Sequence, residues 1–322
     1  MPSIRHTART RSSPLKAETG RGMGRDASDA STACETHPHP ALSMKGRVLA
    51  AWVMALLVLF ALPHAAHADS DEPPIFDAHV HYNLDIGRPL SVEDVLATWR
   101  AAGIKGVLLT SRPNDGTREL LAAAPPEFKA VAFARPYRVM ADVQTWYRDP
   151  EIYAMIEQEL ARGIYIGIGE FHIFDRAADS EGFVRFVRLA QQRKLWLHAH
   201  CDDYVIERIF ALNPQARVVW AHTGMSTPAE RVDELFARYP QLHGELSFRS
   251  GIMEGNSLSP AWRGLFTKYP DRFLLGSDTW VPQRWPDVPQ IMSEYRWWLA
   301  QLPPAVAEQI AWRNGARLFL GQ

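Results

Sequence analysis

Cysteine is nearly absent: 322 residues contain two, Cys34 and Cys201. Cys34 lies ahead of the segment read below as a leader, so the folded part keeps Cys201 alone. An intrachain disulfide is then excluded even in an oxidising compartment, and Cys201 reads as a small packing residue. Long apolar runs are lacking too. The run Val48–Leu62 has 15 residues, fewer than the roughly 18 to 20 that cross a bilayer as a helix. Positive charge is in short supply: from Asp69 onward 27 Lys and Arg face 32 Asp and Glu, a formal charge of −5. That balance offers no broad attraction to nucleic acid or to anionic lipid.

Residues 1–43 are rich in Arg, Ser, Thr, Ala and Gly without apolar periodicity, and read as disordered or as an extension upstream of the true start at Met44. Lys45 and Arg47, the apolar run, and Ala66-His67-Ala68 before Asp69 have the layout of a signal peptide over 44–68. An uncleaved anchor is the rival reading. Either way the remainder is expected to be exported, periplasmic or secreted, with no membrane span once the leader is removed. What remains, 69–322, is 254 residues, about the length of one α/β barrel.

Apolar strand-like runs and helix-like segments alternate from there on. Strands are expected at 75–81, 104–110, 128–135, 164–171, 195–200, 217–221, 242–248 and 272–277. Helices are expected near 91–102, 115–123, 142–162, 180–193, 203–212, 227–238, 260–268, 287–301 and 304–319. Ser91 supplies an N-cap, Pro228 and Pro304 suit first turns, and Gly103 and Gly163 suit helix ends. Eight strands each followed by a helix predict a single-domain α/β fold, a (β/α)8 TIM barrel. An open doubly wound sheet shares the alternation, and the strand count carries the preference.

In such a barrel chemistry belongs at the C-terminal ends of the strands. Six of the seven histidines after Asp69 fall there: His79, His81, His172, His198, His200 and His222. His243 begins strand seven and reads as structural. Strand four ends with Glu170 and strand eight with Asp278. Imidazoles and carboxylates converging from several strands make a site for zinc or a similar divalent ion.

In this combination the sequence resembles the amidohydrolase superfamily, above all its amidohydrolase-related (amidohydrolase 2) branch, with a strand-four glutamate as in TatD-like enzymes. The likeness runs from Phe76 to the closing segment Trp312-Arg313-Asn314-Gly315-Ala316-Arg317-Leu318. It implies that His79, His81 and Asp278 are ligands of a first metal ion and His200 the strand-five ligand. It also implies that His222 binds a second ion or serves proton transfer, and that Glu170 bridges two ions where two are present. Residues 164–172 contain no lysine to be carboxylated. His198 lies on the same strand face as His200 and is the alternative ligand.

The chemistry expected is hydrolysis of an amide, ester, lactone or phosphoester of a small molecule, with Asp278 as general base and His222 assisting at the scissile oxygen. Arg135, Arg249 and His172 are candidates for substrate contact, as are Ser111, Arg112, Tyr137 and Arg138. For each arginine a rim salt bridge is the competing role. Trp280 and Trp285 suit either a pocket wall or packing. Two other functions stay open: a metal-dependent nonoxidative decarboxylase of the same superfamily, and a barrel that binds metal or ligand without turnover. Association into a homo-oligomer is also left open.

Overall fold

The computed structural model describes residues 73–88 and 90–322. The leader expected over 44–68 and the segment 1–43 lie outside the described residues. No helix among the described residues is long and apolar enough to cross a membrane.

Seven strands follow the expected order: β1 (Ile75–His81), β2 (Ile104–Thr110), β3 (Lys129–Ala134), β4 (Tyr165–His172), β5 (Trp196–His200), β6 (Arg217–Trp220) and β7 (Leu242–Glu245). The eighth barrel strand is Phe273–Leu274. Sequential neighbours pair in parallel throughout. A parallel bridge between Asp77 and Leu275 and the Ala78 N–H to Leu275 carbonyl bond (2.8 Å) join the last strand to the first. The fold is a (β/α)8 barrel.

Apolar strands buried on both faces form two cores. The larger one packs strand residues such as Val107, Ile168, Leu197 and Val218 against the helices. A smaller cluster draws Phe76, Leu108, Phe133, Trp196, Val219 and Leu274 from six different strands, so it must lie within the barrel. Phe319 of the C-terminal segment packs on it, 5.2 Å from the Trp196 ring centroid and 5.6 Å from that of Phe76. The N-terminal end of the barrel is thereby filled. Space for chemistry remains at the opposite mouth.

Where expected and observed elements differ, a local bond explains it. The expected helix 142–162 is two 3-10 segments, Met140–Gln144 and Trp146–Arg148, followed by an α-helix over Pro150–Leu160. Asp149 accepts from the Glu151 N–H and Pro150 sits in the first turn, so the true helix starts there. Strand seven stops at Glu245 rather than 248 because the Ser247 N–H turns to Glu245 Oε1. Beyond Leu274 the Ser277 N–H likewise turns to Asp77 Oδ1 (2.9 Å). Side-chain carboxylates thus take backbone donors that a ladder would have used.

His243 is buried at the start of β7, edge-on to Trp196 at 5.5 Å. Burial and the nearby Arg272 push its pKa down to about 3. The unfolded ring takes up its proton near 6.5, so between those values the unfolded chain binds more protons than the folded one. Stability therefore falls as pH drops below 6.5, by about 2 kcal/mol at pH 5 for this one group. His243→Phe is expected to flatten the Tm against pH profile between pH 7 and 5. Parallel profiles for the two proteins would refute the assignment.

Candidate active site

A bulge in β1 between Asp77 and Val80 shifts its register against β2; His79 lies within it and His81 just beyond, both fully buried. Their Nε2 atoms lie 3.0 Å apart. His79 Nδ1 is 2.8 Å from Glu245 Oε2. A carboxylate only accepts, so Nδ1 carries the hydrogen and Nε2 turns a lone pair inward. His81 Nδ1 lies 2.5 Å from Thr110 Oγ1, whose own hydroxyl donates to the Val80 carbonyl. Arg135 Nη1, which can only donate, lies 3.1 Å from the same nitrogen, so Thr110 and Arg135 make opposite demands on His81 Nδ1. His222 repeats the arrangement of His79, with Nδ1 2.8 Å from the Ser247 carbonyl.

Two carboxylates face the inner nitrogens. Asp278 Oδ1 is 3.2 Å from His81 Nε2 and 3.5 Å from His79 Nε2, and Oδ2 is 3.9 Å from His222 Nε2. Glu170 Oε1 is 2.9 Å from His200 Nδ1, 3.5 Å from His79 Nε2 and 3.7 Å from His222 Nε2. His200 and His222 are themselves in contact at 3.2 Å. Thus His79, His81, Glu170, His200, His222 and Asp278 meet in one cluster at the barrel mouth.

Backbone geometry at the cluster is unusual. His222, Thr223 and Asp278 have φ of 55°, 42° and 47°, a region that costs a β-branched or bulky L-residue roughly 1–3 kcal/mol. The His222 N–H reaches Glu245 Oε2 (3.1 Å) and the Asp278 N–H reaches the His79 carbonyl (2.7 Å). Those bonds hold both side chains over the mouth. At Gly169 a Cβ would stand 2.3 Å from the His198 carbonyl oxygen, so glycine lets β4 approach β5 and present Glu170.

Charge follows the geometry. Burial alone would raise the carboxyl of Glu170, but His172, His79 and hydrogen bonds from His200 and His222 hold it well below the usual range. Burial opposes ionisation of Asp278 as well, and His79 and His81 pull its pKa down. Burial works against charge on His79, yet Asp278, Glu245 and Glu170 raise its pKa well above 6.5. For His81, burial and Arg135 act together and lower it.

His198 and His200 part company. His198 is fully buried, 4.5 Å centroid to centroid from His79, and neither ring nitrogen has a hydrogen-bond partner. Its donor atoms group with His79 and Glu245, whereas those of His200 group with Glu170 and His172. His172 stacks on His200 at 4.2 Å and meets the Tyr137 hydroxyl at 3.1 Å.

The arginines need correction. Arg135 is buried inside the cluster, not at the rim. It donates to Glu170 Oε2 (2.8 Å), the Glu170 carbonyl (3.1 Å) and Asn83 Oδ1 (3.2 Å), so it positions Glu170 and has no face left for substrate. Arg249 is drawn to the carbonyls of Met225 and Thr227 and stacks over Trp262. Loop carbonyls thus take the terminal donors expected for a substrate anion, and Nε is left buried without a partner. Arg112 pairs with Asp85, and Arg138 with Asp142 and Asp149. Trp285 is fully buried against Tyr82, a packing residue and not a pocket wall, while Trp280 is 44 % exposed. Cys201 is buried and free.

Three side chains escaped the sequence reading: Glu245, Ser247 and Thr110. Glu245 has a signal in retrospect, an acid at the C-terminal end of an otherwise buried strand. Thr110 and Ser247 are ordinary strand-end residues, and only their contacts single them out.

A family model described as amidohydrolase matches residues 64–320. No curated protein sequence matches the chain. Among solved structures, a putative 2-pyrone-4,6-dicarboxylic acid hydrolase from Pseudomonas putida is 15% identical, with a TM-score of 0.50 and 78% of this chain and 98% of that chain covered. An N-acetyl-D-glucosamine-6-phosphate deacetylase from Mycobacterium smegmatis is 17% identical, with a TM-score of 0.51 and 76% and 75% covered. At these identities the likeness is one of fold. The family match, spanning most of the length and all of the clustered residues, decides the matter: the chain belongs to the amidohydrolase family.

Proposed function

We propose that the protein is an exported metal-dependent hydrolase that cleaves an amide, ester, lactone or phosphoester bond of a small molecule. One observation carries this reading. The inner nitrogens of three imidazoles face two ionised carboxylates across 3.2–3.9 Å, and two of those nitrogens stand 3.0 Å apart. Imidazole nitrogens and anions packed so closely in a buried site call for shared positive charge, as protons on the rings or as a metal ion among them. His79, His81 and Asp278 would hold a first ion, with Glu170, His200 and His222 able to hold a second. Mixed nitrogen and oxygen donors suit zinc. A divalent ion there supplies a water of lowered pKa and polarises a carbonyl or phosphoryl oxygen.

The remaining work falls to the chain. Asp278, ionised and beside the inner nitrogens, takes up the proton of the attacking water and returns it to the leaving group. Burial lowers the pKa of His222, but Glu170 and Glu245 raise it further. If one ion suffices, His222 carries a proton on Nε2 and donates it to the developing oxyanion. Arg135 holds Glu170 Oε2, which leaves Oε1 as the oxygen facing His200 and His222.

Protein purified without chelator is expected to carry at least one divalent ion per chain, and His79→Ala with His81→Ala to lose it. A count near two supports Glu170 as a bridge; near one favours the His79, His81, His200 and Asp278 set. An ion-free chain that still turns over substrate would sink the reading. Hydrolysis of an ester and lactone panel without CO2 release from aromatic acids is expected; the reverse result would make it a decarboxylase. Export predicts a protein outside the cytoplasm beginning near Asp69.

A further inference from the structure

The barrel mouth is lined with apolar side chains that the core leaves uncovered. Ile86, Met140, Phe174, Met225, Phe248 and Trp280, on the segments that follow β1, β3, β4, β6, β7 and the eighth strand, are each 37–49 % exposed. Two of them rest directly on the site. The Phe174 ring lies 5.7 Å from that of His200, and Phe248 lies 6.0 Å from His222, both edge-on.

Phe248 is held there at a cost. Its φ is 50°, where a bulky side chain is rarely found, and it remains 49 % exposed. The Arg284 guanidinium lies 3.9 Å over its ring while Arg284 Nε donates to the Ser277 carbonyl (2.7 Å). Phe248 also lines a cavity of about 520 Å³ whose other walls include Ile252, Tyr295, Trp298, Arg249 and Glu294, and which none of the clustered donors borders. An aromatic side chain kept half in water, in a strained conformation and against the reacting groups, is placed for a ligand rather than for the core.

Charge recognition has less to offer. Arg135 and Arg138 are engaged by Glu170 and by the Asp142–Asp149 pair, while Arg112 and Arg249 are held by Asp85 and by loop carbonyls, each with one buried guanidinium nitrogen left without a partner. Arg284 is stacked on Phe248 and bonded to Ser277.

Resting on the hydrolase reading of this site, we propose that Phe174 and Phe248 determine specificity by gripping a neutral, flat apolar group of the substrate. The substrate class is then an ester, lactone or amide carrying an aromatic or similar group, without a carboxylate or phosphate on that group. Rings at 4.5–7 Å separation attract beyond simple area burial, so each phenylalanine should act on aromatic ligands and not on small aliphatic ones.

The test uses non-hydrolysable ketones with the metal-loaded protein, read by calorimetry. 4-Phenyl-2-butanone mimics benzyl acetate, 2-pentanone mimics ethyl acetate, and 4-(4-carboxyphenyl)-2-butanone adds the anion. The phenyl ketone is expected to bind about tenfold or more tighter than either of the others. Phe174→Ala and Phe248→Ala should each weaken it about tenfold while changing 2-pentanone by less than about threefold. Tighter binding of the carboxylated ketone would overturn the proposal in favour of anion capture by Arg284. Equal losses for both neutral ketones, or no preference in the wild type, would also overturn it. Selective binding of the phenyl ketone without hydrolysis of benzyl acetate would uphold the clamp and count against the hydrolase reading alone.

Discussion

Asp278→Asn is expected to leave the barrel folded and to lower kcat/KM by about 10²–10⁴-fold, the usual contribution of a positioned general base. The side chain keeps its size, and the Asp278 N–H bond to the His79 carbonyl is untouched. What disappears is the negative charge 3.2 Å from His81 Nε2 and 3.5 Å from His79 Nε2. Asn cannot accept the proton of an attacking water. Because Asp278 is ionised well below neutrality, the wild-type rate should not fall with Asp278 titration anywhere between pH 6 and 8. Steady-state kinetics beside ions per chain separate the two ways to fail. A variant that keeps its metal and loses turnover supports the base; one that keeps both removes Asp278 from the mechanism.

The second large effect belongs to Glu245. Its Oε2 accepts from His79 Nδ1 (2.8 Å), from the His222 N–H (3.1 Å) and from Ser247 Oγ (2.9 Å). It is fully buried, and burial would raise its pKa, but His79 outweighs that and keeps it ionised. A carboxylate behind a ligating imidazole fixes the ring and raises its basicity. Glu245→Gln is therefore expected to lower metal affinity about 10–100-fold, measured by competition with a chromogenic chelator, although Glu245 touches no candidate substrate position. Gly276→Ala reaches the same group by crowding. Its Cβ would stand 2.2 Å from Glu245 Oε1 and 2.6 Å from His79 Cβ, and about 1–3 kcal/mol of stability should be lost in denaturant titration. Wild-type metal affinity in Glu245→Gln would mean that His79 needs no such support.

How much was legible beforehand depends on the kind of residue. The helices over Asp115–Ala123, Asp203–Leu212 and Pro260–Lys268 have the bounds expected of them, because apolar period marks all three locally and Asp202 and Ser259 cap the last two. The helix expected from 142 does not form as one piece, since Pro150 and Asp149 restart it. His79, His81 and Asp278 stood out as polar residues ending apolar strands. Glu245 did not, since its partners are 166 residues upstream and 23 residues away. Arg135 was misread for a related reason: an arginine after a strand looks the same whether it faces solvent or a buried glutamate.

Periodicity and strand-end chemistry are properties of neighbouring residues, so the order of strands and the identity of the clustered donors were already determined by the sequence. Tautomers, the separation of His198 from His200, and the engagement of Arg135 and Arg249 depend on which distant groups meet. Tertiary structure alone decided those, because closing the barrel brings together side chains that the linear chain holds far apart.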